Sequence, residues 1–252
     1  MISIEALNHA AGTTQILHDI TLTIPRGGLT ALIGPNGAGK STLLNLIAAQ
    51  ADVQSGRISV DDLDVATTPR TQLAQRMAVV AQRSDIASRL TVGDLVEFGR
   101  WPHSKGRLTP YDRAIASHAL EVFDLTNLSH RFLDEISGGQ RQRAFVAMAY
   151  TQQTDWLMLD EPLNNLDIRH ARGLMGELAR LVREENRSIV IVLHDLNHAA
   201  AWADHVVALD AGRVAFSGAP DQVLTAEALS TLYNAPIQTH MIDGRKVILH
   251  HR

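Results

Sequence analysis

The chain contains no cysteine. That excludes disulfides and thiolate-held metal centres, and it fits a reducing compartment. No run of eighteen or more apolar residues is present, so no stretch reads as a membrane-spanning helix. The opening Met1-Ile2-Ser3-Ile4-Glu5 has neither the charged n-region nor the apolar h-region of a secretion signal, and a protein that stays in the cytosol is expected. A basic excess is missing too: 23 Lys and Arg stand against 27 Asp and Glu, a formal net charge of −4. Affinity for a polyanion would need a broad basic surface, so nucleic acid is not an expected partner. There is no internal repeat and no low-complexity tract. What remains is 252 residues of ordinary globular composition, ample for one large domain, or a domain with a subdomain, around a buried core.

The stretch that organises the rest is Gly34-Pro35-Asn36-Gly37-Ala38-Gly39-Lys40-Ser41-Thr42, a complete match to G-x-x-x-x-G-K-[ST]. It follows the apolar run Leu29-Thr30-Ala31-Leu32-Ile33 and precedes the helix-like run Thr42-Leu43-Leu44-Asn45-Leu46-Ile47-Ala48-Ala49, giving strand, loop and helix in that order. Its glycines let the backbone curl so that successive N–H groups meet a polyphosphate, and the N-terminus of the following helix adds positive partial charge. Lys40 is placed to reach the terminal phosphates and Ser41 to ligate Mg²⁺. No second loop of this kind occurs.

Around this loop the chain reads as α/β. The segments Ile2-Ser3-Ile4-Glu5-Ala6-Leu7 and Ile20-Thr21-Leu22-Thr23-Ile24 alternate apolar with polar residues, and Gly56-Arg57-Ile58-Ser59-Val60 reads the same way. They predict a small antiparallel sheet beside the loop. Residues 71–76 predict a short helix leading into the strand-like Met77-Ala78-Val79-Val80-Ala81. From 83 to 155 helical periodicity takes over: helices are predicted over 91–98 and 111–123, with a break at Trp101-Pro102-His103-Ser104-Lys105-Gly106, and another helix opens at Ser137. Trp156-Leu157-Met158-Leu159-Asp160 and Ser188-Ile189-Val190-Ile191-Val192-Leu193 read as buried strands, separated by a helix over 168–185. An edge hairpin is expected at Val206 to Phe216, a helix at Ala226–Tyr233, and a tight Asp243-Gly244 turn between two last short strands. Strands alternating with helices imply a mostly parallel central sheet. The expected organisation is a single domain over 1–252: a nucleotide-binding α/β core with its antiparallel part over 1–82 and 156–252, and an inserted helical subdomain over 83–155.

Two further clusters carry chemistry. Asp160-Glu161 ends an apolar strand, where an acid can hold the water shell of Mg²⁺ and its neighbour can orient the water that attacks a γ-phosphate. An Asp-Glu pair alone is usually a solvated surface pair; the buried strand before it and the phosphate loop upstream give it weight. Ser137-Gly138-Gly139-Gln140 places a Ser at an N-cap position before two glycines, which makes a second anion site by the same physics. Taken alone, it reads as an ordinary cap with permissive glycines.

The ordered set of phosphate loop, Gln82, Ile136-Ser137-Gly138-Gly139-Gln140-Arg141-Gln142-Arg143, Leu159-Asp160-Glu161-Pro162, Asn165-Leu166-Asp167 and His194 resembles an ATP-binding-cassette ATPase over nearly the whole chain. In that family the nucleotide lies between two copies, with the phosphate loop of one facing the signature serine and glycines of the other. The resemblance implies ATP as ligand, Mg²⁺ held by Ser41, Gln82 and Asp160, and Glu161 as catalytic base. It also implies Lys40 and His194 at the γ-phosphate and Asp167 in the loop at the dimer interface. The segments Thr91 to His103, Glu161 to Asp167 and Leu193-His194-Asp195-Leu196-Asn197 are further similar to ATPases of bacterial importers for iron(III)-siderophores, haem and cobalamin. By that likeness the partners are a second copy of the chain, transmembrane permease subunits and, indirectly, an extracytoplasmic binding protein. The place of work is the cytoplasmic face of the inner membrane, as a peripheral protein. The stretch from Gln82 to Lys105 would meet the permease. Two departures stand out: Ala11, with His9 nearby, occupies the position where such proteins usually carry an aromatic that stacks on adenine, and the signature begins with Ile136 instead of Leu.

Three other readings compete. His194-Asp195-Leu196-Asn197-His198 resembles a zinc-binding H-E-x-x-H helix, but it directly follows an apolar strand and has no third ligand in view. A soluble cassette ATPase of DNA repair or translation would usually carry a long coiled-coil insertion or two cassettes. A P-loop kinase would leave Ser137 to Gln140 and His194 without a task.

Overall fold

In the computed structural model the described residues are 1–81, 89–164 and 166–250. They pack as two compact units, Met1–Thr68 with Ser188–Arg252, and Pro69–Arg187. Along the first segment run β1 (Ile2–Ala11), β2 (Thr14–Ile24), β3 (Leu29–Ile33), α1 (Lys40–Ile47), β4 (Ser55–Val60) and β5 (Leu63–Asp64). The middle segment carries α2 (Arg70–Leu73), β6 (Met77–Val80), α3 (Val92–Phe98), α4 (Trp101–Ser104), α5 (Pro110–Val122), α6 (Gly138–Thr151), β7 (Trp156–Leu159) and α7 (Ile168–Glu185). The last carries β8 (Ser188–Val192), α8 (Leu196–Trp202), β9 (His205–Asp210), β10 (Arg213–Gly218), α9 (Pro220–Val223), α10 (Ala226–Tyr233), β11 (Gln238–Ile242) and β12 (Arg245–Leu249).

In the first unit, β2, β1, β4 and β5 form the antiparallel sheet that their alternating sequence predicts. Beside it, β3 lies parallel to both β8 and β9, and β10 closes against β9 as an antiparallel edge. Every residue of β3 and of β8 is buried, as a two-sided parallel strand requires. The register runs from Leu29 opposite Ile189 to Leu32 opposite Val192, so the chain leaves both strands at the same end of the sheet. α1 lays Leu43, Leu44, Leu46 and Ile47 into the core. The final hairpin turns through Asp243 and Gly244, both at positive φ (49° and 73°), the geometry that two-residue hairpin loops favour.

The second unit pairs β6 and β7 in parallel, from Met77 opposite Trp156 to Val80 opposite Leu159. Its helices begin cleanly. Thr91 with Asp94, and Thr109 with Asp112, each form a reciprocal capping box. Asp112 has a second duty: its other oxygen accepts from Arg100 Nε at 2.9 Å, and Arg100 also donates to Thr151 O at 2.7 Å, with the guanidinium buried. The expected break at 101–106 is in part a helix. Pro102 falls in the first turn of α4, where its missing N–H costs nothing, and Lys105 (φ 49°) and Gly106 (φ 83°) end it. The unit also takes in two strands on either side of 83–155. Among the described residues no helix is long and apolar enough to cross a membrane.

Candidate nucleotide site

The loop after β3 owes its shape to three glycines at positive φ: Gly34 (140°), Gly37 (80°) and Gly39 (96°). Gly34 is constrained twice over, because a Cβ there would lie 2.0 Å from the Leu209 carbonyl of neighbouring β9. Its N–H donates to the Tyr233 hydroxyl at 3.1 Å, and burial pushes that phenol's pKa up to about 12. Ala38 N–H turns back to Pro35 O, and Gly212 in the β9–β10 turn donates to Ala38 O, fixing the loop from outside. Lys40 opens α1 with its side chain buried; Nζ donates to Gly34 O and Pro35 O, each at 2.8 Å. Gly39 caps α1 without a side chain, so no N-cap side-chain oxygen accepts from the first turn of the helix. Asn36 and Gly37 are exposed at the tip. Ser41 and Thr42 follow on the first turn of α1.

His194 is exposed and follows β8 at the same sheet end as the phosphate loop, since Leu193 N–H donates to Leu32 O at 3.1 Å. Immediately afterwards Asp195 caps α8 by accepting from Asn197 N–H at 2.8 Å. His194 therefore precedes the helix that bears His198, and the two do not share a helix face as an H-x-x-x-H zinc pair must. Asn197 reaches across to β12, where its amide donates to Ile248 O at 3.1 Å and accepts from Ile248 N–H at 2.8 Å. Ala11 is exposed at the end of β1, and His9 is half-buried opposite Leu17 with its Nδ1 buried and unpartnered; Leu17 in turn lies against the phosphate loop, its Cδ2 2.6 Å from where a Cβ on Gly39 would sit.

In the second unit, Asp160 follows β7 and is only 2% exposed; its N–H donates to Val80 O at 2.9 Å. Glu161 occupies left-handed backbone (φ 51°), a strained choice for a non-glycine residue, and Asn164 donates its side-chain amide to the Glu161 carboxylate. Ser137 caps α6 through a full capping box: its Oγ accepts from Gln140 N–H at 3.2 Å while Gln140 Oε1 accepts from Ser137 N–H at 2.9 Å. The N–H groups of Gly138 and Gly139 sit in the first turn, which an α-helix leaves unbonded, at an exposed start. Asp167 caps α7 by accepting from His170 N–H at 2.8 Å, and that bond, joined by the His170 ring, lowers its carboxyl pKa. Gln82 and Asn165 lie outside the described residues.

Residue chemistry separates these positions by task. Lys40 and the helix starts at Gly39 and Ser137 favour anions; Ser41 and Asp160 supply hard oxygen donors of the kind Mg²⁺ takes. Tyr233, which bonds the phosphate loop, carried no sequence signal, since it sits in an unremarkable helix far along the chain from its partner; Asn197 belongs to the Leu193–Asn197 segment already singled out, but its bond to Ile248 was not legible there.

The family described as ABC transporter matches residues 17–164. The petrobactin import ATP-binding protein YclP of Bacillus subtilis (strain 168) is 40% identical over 247 residues, covering 98% of each chain. The ferric enterobactin transport ATP-binding protein FepC of Escherichia coli (strain K12) is 36% identical over 231 residues, covering 91% of this chain and 85% of its own. Among solved structures, a metal-chelate type ABC transporter in an inward-facing conformation superposes with a TM-score of 0.85 at 26% identity, covering 100% of this chain and 97% of the other. An ATP-binding cassette solved as a dimer with ADP and phosphate shares the fold, with a TM-score of 0.78 at 24% identity over 87% of this chain and 99% of the other. A phosphate loop, a capped Ser-Gly-Gly-Gln helix start and an Asp-Glu at a strand end, found in this order with relatives matched nearly end to end, have one common source: the chain belongs to the ABC transporter family.

Proposed function

We propose that this chain is the ATP-hydrolysing subunit of a bacterial importer, energising uptake of an iron(III)-siderophore, or of related haem or cobalamin, through a membrane permease. The observation that carries the reading is the likeness, over 98% and 91% of the chain, to a petrobactin import and a ferric enterobactin transport ATP-binding protein. The named relatives are import and transport proteins, which favours this over repair or translation.

The chemistry asked of the chain is positioning and charge stabilisation. The loop Gly34 to Thr42 cradles the phosphates with its N–H groups, and Lys40 exchanges its loop carbonyls for phosphate oxygens. Ser137, Gly138 and Gly139 of a second copy present their helix start to the same nucleotide, and Asp167 lies in the loop at the dimer interface. Glu161 takes the proton of the attacking water and His194 donates to the γ-phosphate. Mg²⁺ would be held by Ser41, Gln82 and Asp160; when bound it neutralises charge developing on the phosphates.

The permease would be met by the segment around Phe98 and Trp101, which stack at 5.6 Å between ring centroids while 57% and 52% exposed. Such a pair of exposed rings, at the end of a rigidly capped helix, suits insertion of an apolar partner. The protein would work at the cytoplasmic face of the inner membrane, with an extracytoplasmic binding protein delivering cargo to the permease. Within the chain, the nucleotide-binding core would comprise 1–82 and 156–252 and the permease-facing subdomain 83–155.

Glu161→Gln tests the mechanism, because it removes the base while leaving shape and binding groups in place. The variant is expected to bind MgATP, to lose at least about 100-fold in hydrolysis, and to run as a dimer with ATP on size exclusion. A variant that binds ATP yet stays monomeric while the parent dimerises would contradict the shared-nucleotide arrangement.

A further inference from the structure

We propose that Tyr233 and Asn197 are positioning residues through which the C-terminal segment 226–249 sets the two loops of the nucleotide site, Tyr233 fixing the phosphate loop and Asn197 fixing His194. The inference rests on the reading of those loops given above.

Gly34 is buried at the point where β3 becomes loop, and its N–H is answered by the Tyr233 hydroxyl of α10 at 3.1 Å. The carbonyl of the same residue accepts from Lys40 Nζ at 2.8 Å. Tyr233 therefore holds one side of the residue whose other side receives the phosphate-reaching lysine. A buried N–H deprived of its acceptor is costly, and the least costly relief is rotation of the Gly34 peptide toward another partner. The Leu209 carbonyl fills the space where a Gly34 Cβ would sit, so movement toward β9 is blocked and relief travels onward into Pro35 and Asn36.

Asn197 acts on the other loop. Its side-chain amide pairs with Ile248 in both directions, as a strand residue would, while its own N–H is held by the Asp195 cap. Upstream, Leu193 is tied to Leu32. His194 thus lies between two fixed points, one on β3 and one on β12, and removing the Asn197 clasp frees the second. The two links predict opposite kinetic signatures, because the phosphate loop governs binding of nucleotide and His194 governs its hydrolysis.

The test uses the full chain as parent, Tyr233→Phe and Asn197→Ala, with equilibrium binding of MgATP, steady-state phosphate release and thermal melting. Tyr233→Phe is expected to raise Kd and KM about fivefold with kcat held within about twofold, the size of one lost hydrogen bond. Asn197→Ala is expected to lower kcat about fivefold or more with Kd held within about twofold. If Asn197→Ala does not fold, Asn197→Asp replaces it, since a carboxylate still accepts from Ile248 N–H but no longer donates to Ile248 O. Variants with unchanged constants, or with binding and turnover reduced together in step with melting temperature, would reduce both residues to fold stabilisers and overturn the proposal. A parent that fails to bind MgATP would instead overturn the nucleotide reading itself.

Discussion

The ammonium of Lys40 is bonded to the carbonyl of Gly34, six residues earlier, at 2.8 Å, and to that of Pro35 at the same distance. The lysine thus closes the loop that it is proposed to serve. A triphosphate entering the loop competes for a cation already solvated by two carbonyls, and it prevails because a phosphate oxygen carries formal charge where a carbonyl carries only a dipole.

Replacement of Lys40 by Ala should lower kcat/KM for ATP by at least about 100-fold, the scale for losing a preorganised cation at a charged transition state. Lys40→Arg should not rescue it. The planar guanidinium is wider than an ammonium and the side chain is only 5% exposed, so a fork of five donors has no room to turn. Steady-state phosphate release decides the matter; activity within about tenfold of the parent would remove Lys40 from its assigned role.

Lys40→Ala and Ser137→Ala should each be inactive alone yet complement one another. If a nucleotide is held by the loop of one copy and the Ser137 helix start of another, a mixed dimer contains one site with both residues intact. Equal mixing should then restore roughly a quarter of the parental sites, assuming random exchange in a two-fold dimer. Ser137→Ala also removes a cap worth about 1 kcal/mol, so both variants are compared by melting first. Mixed dimers that form, verified by differently tagged copies, and hydrolyse no faster than either variant would contradict a shared site.

Much of this architecture was legible in the sequence, for local reasons. The helix over 168–185, the helix Ala226–Tyr233 and the turn Asp243-Gly244 fall where periodicity, caps and turn chemistry put them. The phosphate loop and the Ser137 cap were legible because their function is written in contiguous residues. Residues 101–106 do separate the two helices as expected, but the single turn of helix Trp101–Ser104 within them was not legible, because Pro102 reads as a break and only the chain path places it in a first turn. Tyr233, Asn197 and the Arg100–Asp112 pair were not legible, because each contact joins residues whose proximity is a product of the whole fold.

Gly99 and Gly173 should respond to alanine in opposite senses. Gly99 has an ordinary helical φ of −58°, so propensity alone favours alanine there. Yet its added Cβ would lie 2.0 Å from Met148 O and 2.1 Å from Thr151 Oγ1 on α6, and backbone cannot yield that far. Gly99→Ala should cost about 2 kcal/mol or more. Gly173 lies within α7 with nothing within 4 Å of its Cβ position, and Gly173→Ala should gain about 0.5–1 kcal/mol. Urea midpoints at unchanged slope would measure both, and a stabilised Gly99→Ala would mean that α3 and α6 are not packed as described.

Asp112 should make part of the stability depend on acid pH. The Thr109 hydroxyl, the Thr109 N–H and the Arg100 guanidinium all donate to its carboxylate and hold its pKa at about 2, against an ordinary 3.8. Because the folded value lies below the unfolded one, its contribution is fully present above about pH 3.8 and is lost as pH falls through about 2. The shift corresponds to about 2 kcal/mol, and with Asp112 and Arg100 both buried little of it is screened by solvent. Asp112→Asn should therefore destabilise by about 3 kcal/mol at neutral pH, since it strands a buried guanidinium. Melting of parent and variant across pH 2 to 7 should show a constant gap above about pH 4.5 that narrows steadily below pH 3.8. A gap that stays constant down to pH 2 would show that the carboxylate is not held by these donors, and a gap that widens on acidification would reverse the sign of the linkage.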